Sequence, residues 1–357
     1  MDGAGTPAHI QSVYGQLVTS STLAWVRSGT GADLPENAVP SGTGSGVVCR
    51  GRQHGTNVAG STEFGRCKVG FSNRLVTLTT FDVLTEVPGA AKLEWRPFTR
   101  FSAPPKGSVA GVEGDTAVFI ARELGRDGLL RPAVVELTAS SYGTGMLKAY
   151  TDYSVEDVET GDILVEVEPV RYELKLDKFS KEPKISRERK VLASSSIFRF
   201  LEGKETTARM QKMLSYSYEK STYFGQIKGA IKGLPVKITL PTGENKNQLW
   251  GMKDTSKQSE SIMVGFDMEQ NSAVDVVISA VEVREEQPFT GTFVSVFPDG
   301  SVRERRIEGM RLINYLDRIN PEYSKLYAIK DQVMGSPSKL SQETFNKINL
   351  NQVEVVF

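Results

Sequence analysis

Residues 222–240 read TYFGQIKGAIKGLPVKITL. From Thr222 to Lys232 the odd positions are Tyr223, Gly225, Ile227, Gly229 and Ile231, and the even ones Thr222, Phe224, Gln226, Lys228, Ala230 and Lys232. After Gly233 the phase resumes, with Leu234, Val236, Ile238 and Leu240 on one face and Pro235, Lys237 and Thr239 on the other. Period-two alternation marks half-buried strands, so the expectation is two amphipathic arms of about ten residues around a Lys232-Gly233 turn. A β-strand that crosses a bilayer needs about 9–11 residues with one lipid face and one wet face. A lone hairpin would leave its edges unpaired in hydrocarbon, whereas hairpins from several chains close a barrel without edges. The commoner use of the same pattern is a surface hairpin over its own core. Gly225 and Gly229 weaken a fixed strand and suit one that refolds, and Pro235 and Pro241 cannot donate to a ladder.

The flanks read as strands too. Tyr172-Glu173-Leu174-Lys175-Leu176 alternates strictly, as do Leu214–Tyr218, Val274–Ile278 and Phe289–Phe297. These runs are rich in Val, Ile, Thr, Tyr and Phe and predict long antiparallel strands. Pro298-Asp299-Gly300 signals a turn into a return strand. From Met310 short helical signals enter at Leu312–Leu316, Ser336-Pro337-Ser338 reads as a loop, and Val353–Phe357 as a terminal strand.

The first half is organised by an internal repeat. Leu23-Ala24-Trp25 recurs as Leu93-Glu94-Trp95 and Val39 as Val109, and Val47–Arg50 aligns with Phe119–Arg122 after a two-residue insertion. Phe81-Asp82-Val83 aligns further on with Tyr153-Ser154-Val155. Each unit shows short apolar runs between Gly-rich turns, which predicts small antiparallel sheets packed with pseudo-twofold symmetry. Cys49 and Cys67 fall in the first unit, and the same alignment sets Ala121 and Ala139 opposite them. The paired change predicts that the cysteines are neighbours on adjacent strands, as a disulfide or as two buried thiols.

The pattern Trp25-Val26, Leu34-Pro35-x-x-Ala38-Val39, Gly42, Arg50, Gly60 and Phe81-Asp82-Val83-Leu84 resembles the DM-nine repeat of invertebrate lectins and natterin-like proteins. The likeness covers roughly residues 20–160 and implies a tandem β fold in which each repeat contributes to a sugar pocket. The family's acidic and lysine anchors fall on Gly44 and Ser61 in the first repeat, and on Glu113 and Val134 in the second. Mannose chemistry is thus reduced to one anchor of four. Glu113, Asp115, Arg126 and Asp127 are the polar groups available to a different glycan, and ordinary loop charge is the competing reading. Residues 170–310 resemble the pore-forming module of aerolysin-like and natterin-like proteins. The features are the Leu214–Tyr218 strand, the hairpin with Gly233-Leu234-Pro235 at its tip, Leu249-Trp250-Gly251, and Gln287–Thr292 before the Asp-Gly turn. That family's hairpin is mostly Ser/Thr, whereas this one carries three lysines. Lys228 and Lys237 would line a lumen and favour anions, and Lys232 at the tip would have to cross hydrocarbon or snorkel.

Composition sets the outer bounds. The chain has 357 residues, 39% hydrophobic and 24% charged, enough for sizeable cores in two domains. It contains no apolar run long enough for a membrane helix. The start, MDGAGTPAHI, lacks a basic region followed by an apolar one, so no ordinary secretory signal is expected. Lys+Arg against Asp+Glu stand at 14 to 19 over residues 1–170, 19 to 9 over 171–257 and 10 to 15 over 258–357. The basic middle third would suit an anionic surface, or is plain solvated lysine. With two histidines, His9 and His54, and no nucleophile elbow, zinc-protease motif or P-loop, catalysis is not expected.

The expected protein is mostly β, with a tandem-repeat antiparallel domain at 1–168 (repeats about 20–90 and 91–165). An elongated aerolysin-like sheet domain follows at 169–310, then a tail at 311–357 expected to pack on it or restrain it. The expected function is a β-pore-forming protein that recognises a surface or glycan and oligomerises. Each subunit would insert a hairpin built from Thr222, Tyr223, Phe224, Gln226, Ile227, Lys228, Ile231, Lys232, Gly233, Leu234, Val236, Lys237, Ile238, Thr239 and Leu240. The alternative is a lectin-like or pathogen-recognition binding protein without a pore. Membrane lipids and other copies of the chain are the expected partners, with a monomer or dimer in solution. No cofactor, metal or nucleic acid is expected, and the location is cytoplasmic or reached by an unconventional route before a target membrane.

Overall fold

Tyr172, Leu174 and Leu176 are buried while Arg171, Glu173 and Lys175 stay exposed, so the strict alternation becomes a strand with one face on a core. A computed structural model describes residues 5–113, 117–137, 144–151, 154–179, 182–200 and 205–329. Within them the ordered elements are strands. The first sheet comprises β1 Thr6–Gln11, β2 Leu17–Gly29, β3 Val48–Gln53, β4 Thr56–Glu63, β5 Arg66–Phe71, β6 Arg74–Leu78 and β7 Thr80–Glu86. It continues with β8 Lys92–Thr99, β9 Val109–Val112, β10 Val118–Leu124, β11 Leu130–Leu137, β12 Gly145–Tyr150, β13 Val155–Asp157 and β14 Thr160–Val167. The second sheet holds β15 Arg171–Phe179, β16 Lys184–Arg199, β17 Thr207–Gly225, β18 Pro235–Thr239 and β19 Asn245–Leu249. Its remaining strands are β20 Lys253–Glu269, β21 Ser272–Val296, β22 Val302–Tyr323 and β23 Tyr327–Ala328.

The repeat appears as topology. In the first copy β2 pairs with β7, β7 with β3, β3 with β4, β4 with β5 and β5 with β6. In the second, β8 pairs with β14, β14 with β10, β10 with β11, β11 with β12 and β12 with β13. Each copy has its own core, around Phe81 and Cys49 in one and Phe119 and Leu147 in the other. A third cluster mixes Trp25, Val48 and Leu84 with Val109, Ile120 and Leu164, so the copies share a core neither could close alone.

Register corrects the alignment. Arg50 faces Asp82, and Arg122 faces Asp162, so the partner of Phe81-Asp82-Val83 is Gly161-Asp162-Ile163 rather than Tyr153-Ser154-Val155. Cys49 faces Gly60 while Ala121 faces Ala133, and Cys67 faces Thr62 while Leu147 faces Val135. The counterpart of Cys67 is therefore Leu147, and Ala139 lies outside the described residues. The offset grows because the β11–β12 connection is longer than the tight β4–β5 turn. Cys49 and Cys67 form a disulfide with Cα atoms 6.0 Å apart. They sit on next-but-one strands, not adjacent ones, which in a flat sheet would be about 9.5 Å apart. The sheet is folded at β4 to bring them together.

The second sheet runs in the order β19, β18, β15, β21, β22, β17, β20, with β16 and β23 also on β21. The change of sheet falls between Val167 and Arg171, and the turn at Pro298-Asp299-Gly300 joins β21 to β22. Two compact units divide the chain. One contains the described residues up to Ser186 with Ser221–Ser256 and Arg284–Asn314, and the other Arg187–Lys220, Lys257–Val283 and the described residues from Tyr315. The first unit carries a core of Tyr172, Leu174, Phe224, Val236, Ile238, Trp250 and Phe293, and the second one of Leu214, Tyr216, Val264, Met268 and Val276. The helical signal at Leu312–Leu316 gives way to strand. Leu312 and Ile313 pair with Tyr223 and Thr222, and ladder pairing overrides local propensity. The expected tail thus begins inside β22, and Val353–Phe357 lies outside the described residues.

Candidate functional site

The stretch 222–240 does not form two paired arms. The first arm ends at Gly225 with β17, whose last residues pair with β22. Residues 226–234 carry no strand: Gln226, Gly229 and Gly233 have φ of 64°, 69° and 90°, which break an extended run. The second arm becomes β18, and its neighbours are β15, in parallel, and β19. Its predicted face is the one that packs, since Val236 and Ile238 are buried while Pro235 and Lys237 are exposed. In the first arm Phe224, an even position, is buried against Phe289 with ring centroids 5.8 Å apart, and the odd positions Gly225 and Gly229 are buried too. The hairpin that does exist is β18–β19, turned at Leu240–Glu244 and closed by Trp250, whose ring meets Phe293 edge-on at 5.1 Å.

Residues 226–252 are an excursion whose two ends meet. The Gly251 N–H donates to the Phe224 carbonyl at 3.2 Å, and the chain regains the sheet as β20 beside β17. Farther along the same pair, the Ser215 and Ser261 hydroxyls are 2.9 Å apart, and Tyr216 and Tyr218 both donate to Glu260. Within the excursion Trp250 N–H donates to Leu234 and Gly233 N–H to Trp250, tying its two halves together. The Tyr172 hydroxyl accepts from the Ile231 N–H at 2.8 Å, and burial pushes that phenol up to about 12.

The repeat sheet carries a duplicated arrangement. The Arg50 guanidinium lies 4.4 Å from the Trp25 ring centroid and 3.5 Å from Asp82, whose other oxygen takes Arg27 at 3.2 Å. Arg122 lies 4.6 Å from the Trp95 ring and donates to Asp162 at 3.0 Å. The covers are exchanged between copies. Glu113 of the second repeat accepts from Arg50 at 3.0 Å and pairs with His9 of β1 at 3.0 Å. Gly42 of the first repeat crosses Arg122 so closely that a Cβ there would lie 2.4 Å from Nη1. Glu113 is therefore a clamp between repeats, and His9 belongs to a paired strand.

Arg126 and Asp127 are exposed in the β10–β11 turn, where Asp127 accepts from the Leu129 N–H and from Arg131. Those bonds hold its carboxyl below the ordinary range. That turn lies beyond the far end of β10 from Glu113, roughly 20 Å away. Asp115 lies outside the described residues. Among the described candidates, Glu113 thus does not converge with Arg126 and Asp127. The residues that do converge, Trp25, Arg50 and Asp82 with Trp95, Arg122 and Asp162, were signalled by the repeat of Trp and Arg. Among the described residues no cluster of His, Cys, Asp and Glu could hold a metal ion.

No family model matches the chain. Protein unzipped of Drosophila melanogaster is 28% identical over 360 residues, covering 91% of this chain and 70% of that protein. Among solved structures, lamprey immune protein has a TM-score of 0.36 at 9% identity and covers 85% of this chain and 98% of its own. Parasporin-2, a Bacillus thuringiensis toxin that recognizes cancer cells, has a TM-score of 0.29 at 11% identity over 46% of this chain and 74% of its own. The Mpp75Aa1.1 β-pore-forming protein of Brevibacillus laterosporus has 0.25 at 9% over 49% and 77%. Overlaps this low decide nothing. The class is read from the strands: an all-β protein of two large sheets, the first an internal duplication.

Proposed function

We propose that the chain is a β-pore-forming protein. Its repeat sheet recognises a cell surface or glycan, copies assemble on the membrane, and each contributes residues 226–252 to a shared barrel. The observation that carries this is the closed root of the excursion: Phe224 and Gly251 are already hydrogen-bonded, and β17 and β20 are already neighbours. Peeling the excursion off its core and straightening it would lengthen an existing pair without re-threading the chain. Its two arms, about 13 residues each, exceed the 9–11 a membrane strand needs. Along the first arm Ile227 and Ile231 supply one apolar face and Lys228 with Lys232 the wet face of a cation-lined lumen, while Lys237 and Ile238 fall at the tip. Lipid contact would replace the apolar burial given up in the soluble form, and shared edges between copies would satisfy the freed backbone. The Cys49–Cys67 disulfide suits an oxidising location, reached by release from the cell.

The rival reading, a surface-binding protein with a fixed second sheet, is favoured by the complete burial of Ile238 and Trp250. One experiment separates the two. Glu173 and Lys237 are exposed partners on β15 and β18, so Glu173→Cys with Lys237→Cys locks the excursion in place. Dye release from liposomes bearing anionic or sugar-headed lipids, with detergent-resistant oligomers on gels, is expected from the wild type and both single variants, and from the locked form neither. An absence of release from wild-type protein at neutral pH, at acid pH and after protease would overturn the pore and leave the binding protein.

A further inference from the structure

Residues 226–234 have no ladder, and their backbone groups must be satisfied elsewhere. Three elements hold the segment, two of them through hydrogen bonds. Arg305 of β22 donates through one nitrogen to the carbonyls of Lys228, at 2.7 Å, and Gly229, at 3.0 Å. Tyr172 of β15 takes the Ile231 N–H. The third is the turn after β7 in the repeat sheet, onto which Gly229 is pressed. A Cβ on Gly229 would lie 2.8 Å from the Ala90 methyl and 2.9 Å from Val87 Cγ1. With φ at 69° as well, only glycine fits there.

The seat itself is firm. Val87 N–H donates to Thr22 of β2 at 2.7 Å and Ala90 N–H to Val87 at 2.9 Å, while Ala90 and Ala91 are buried. Gly89 of the same turn packs on the Arg305 stem, where a Cβ would be 3.5 Å from the Arg305 Cβ. The Arg305 guanidinium also lies 5.6 Å from the Phe293 ring, so the cation that grips the segment is held between the turn and the core.

We infer that the Val87–Ala90 turn and Arg305 form a latch that keeps the 226–234 end of the excursion docked in the soluble form. The consequence rests on the pore reading; the contact does not. A ligand that shifts the repeat sheet around this turn unseats Gly229 and withdraws Gly89 from Arg305. Freeing then starts at residues 226–234, ahead of the β18–β19 hairpin, which is held by its own pairing to β15. The repeat sheet is in this way coupled to the excursion through one glycine-sized contact.

The test uses the full chain with Arg305→Gln, Gly229→Ala and, as control, Arg306→Gln, which removes a neighbouring exposed cation paired with Asp177. Hydrogen exchange at Ala230 and Ile231 is expected to rise about tenfold in the first two variants, with amides of β3 and β4 unchanged and the control unaffected. Arg305→Gln keeps the test sound if Gly229→Ala loses the fold. Unchanged exchange in a folded Arg305→Gln protein, or an equal rise in Arg306→Gln, overturns the latch. Dye release is read in parallel. Faster release in Arg305→Gln supports the coupling, and raised exchange with no release from any protein retains the latch while refuting the pore.

Discussion

Replacing the Cys49–Cys67 disulfide should destabilise the repeat sheet by an amount the structure makes separable into two parts. The cysteines are 18 residues apart, and a crosslink closing a loop of that length removes about 3 kcal/mol of unfolded-state entropy. Both side chains are fully buried, so Cys49→Ala with Cys67→Ala also leaves a void worth roughly 1 kcal/mol. The second repeat shows how to refill it. Ala121 and Leu147 occupy the equivalent positions and are buried, so Cys49→Ala with Cys67→Leu loses the crosslink and keeps the volume. Unfolding in denaturant, followed by Trp25 and Trp95 fluorescence in a Trp250→Phe background, should rank wild type above the Ala/Leu pair and that above Ala/Ala. The steps are about 3 and about 1 kcal/mol. Two variants within about 1 kcal/mol of wild type would refute the crosslink's role, given total stabilities of about 5–15 kcal/mol. An Ala/Leu protein no better than Ala/Ala would refute the equivalence of Cys67 and Leu147.

Glu166 is buried in β14 and accepts from Ser20 Oγ at 2.6 Å and Thr22 Oγ1 at 2.5 Å. Burial outweighs these bonds, and the nearby Glu168 adds to it, so the carboxyl is held above its ordinary range. A raised pKa contributes stability that is complete below the unfolded value and lost as pH rises through the folded one. The melting temperature of the repeat sheet should therefore fall from acid toward neutral pH, and Glu166→Gln should flatten the profile and raise its neutral end; an unaltered profile would refute this. In planar bilayers the proposed channel should prefer anions, and Lys228→Glu, at an exposed position of the first arm, should move the reversal potential toward cations. No movement would take Lys228 out of the lumen.

Much of this was legible in the chain itself. Alternation told which side chains of β15 and β18 face a core, because strand geometry puts neighbours on opposite faces whatever lies alongside. Pro298-Asp299-Gly300 told where β21 turns, and Trp25 with Trp95 and Arg50 with Arg122 told of duplication. What alternation does not carry is the neighbour. It is a property of one strand, whereas pairing is settled by competition among all of them for the same core. Thus the two halves of 222–240 parted, one to β22 and one to β15, and the polar β19 became the hairpin partner. The same distinction separates Asp162 from Ser154 as the twin of Asp82, since an insertion shifts the count but not the register. Only the folded chain could bring Glu113 onto Arg50 and Gly229 against Ala90, because both contacts join residues far apart in sequence through shape that no local pattern encodes.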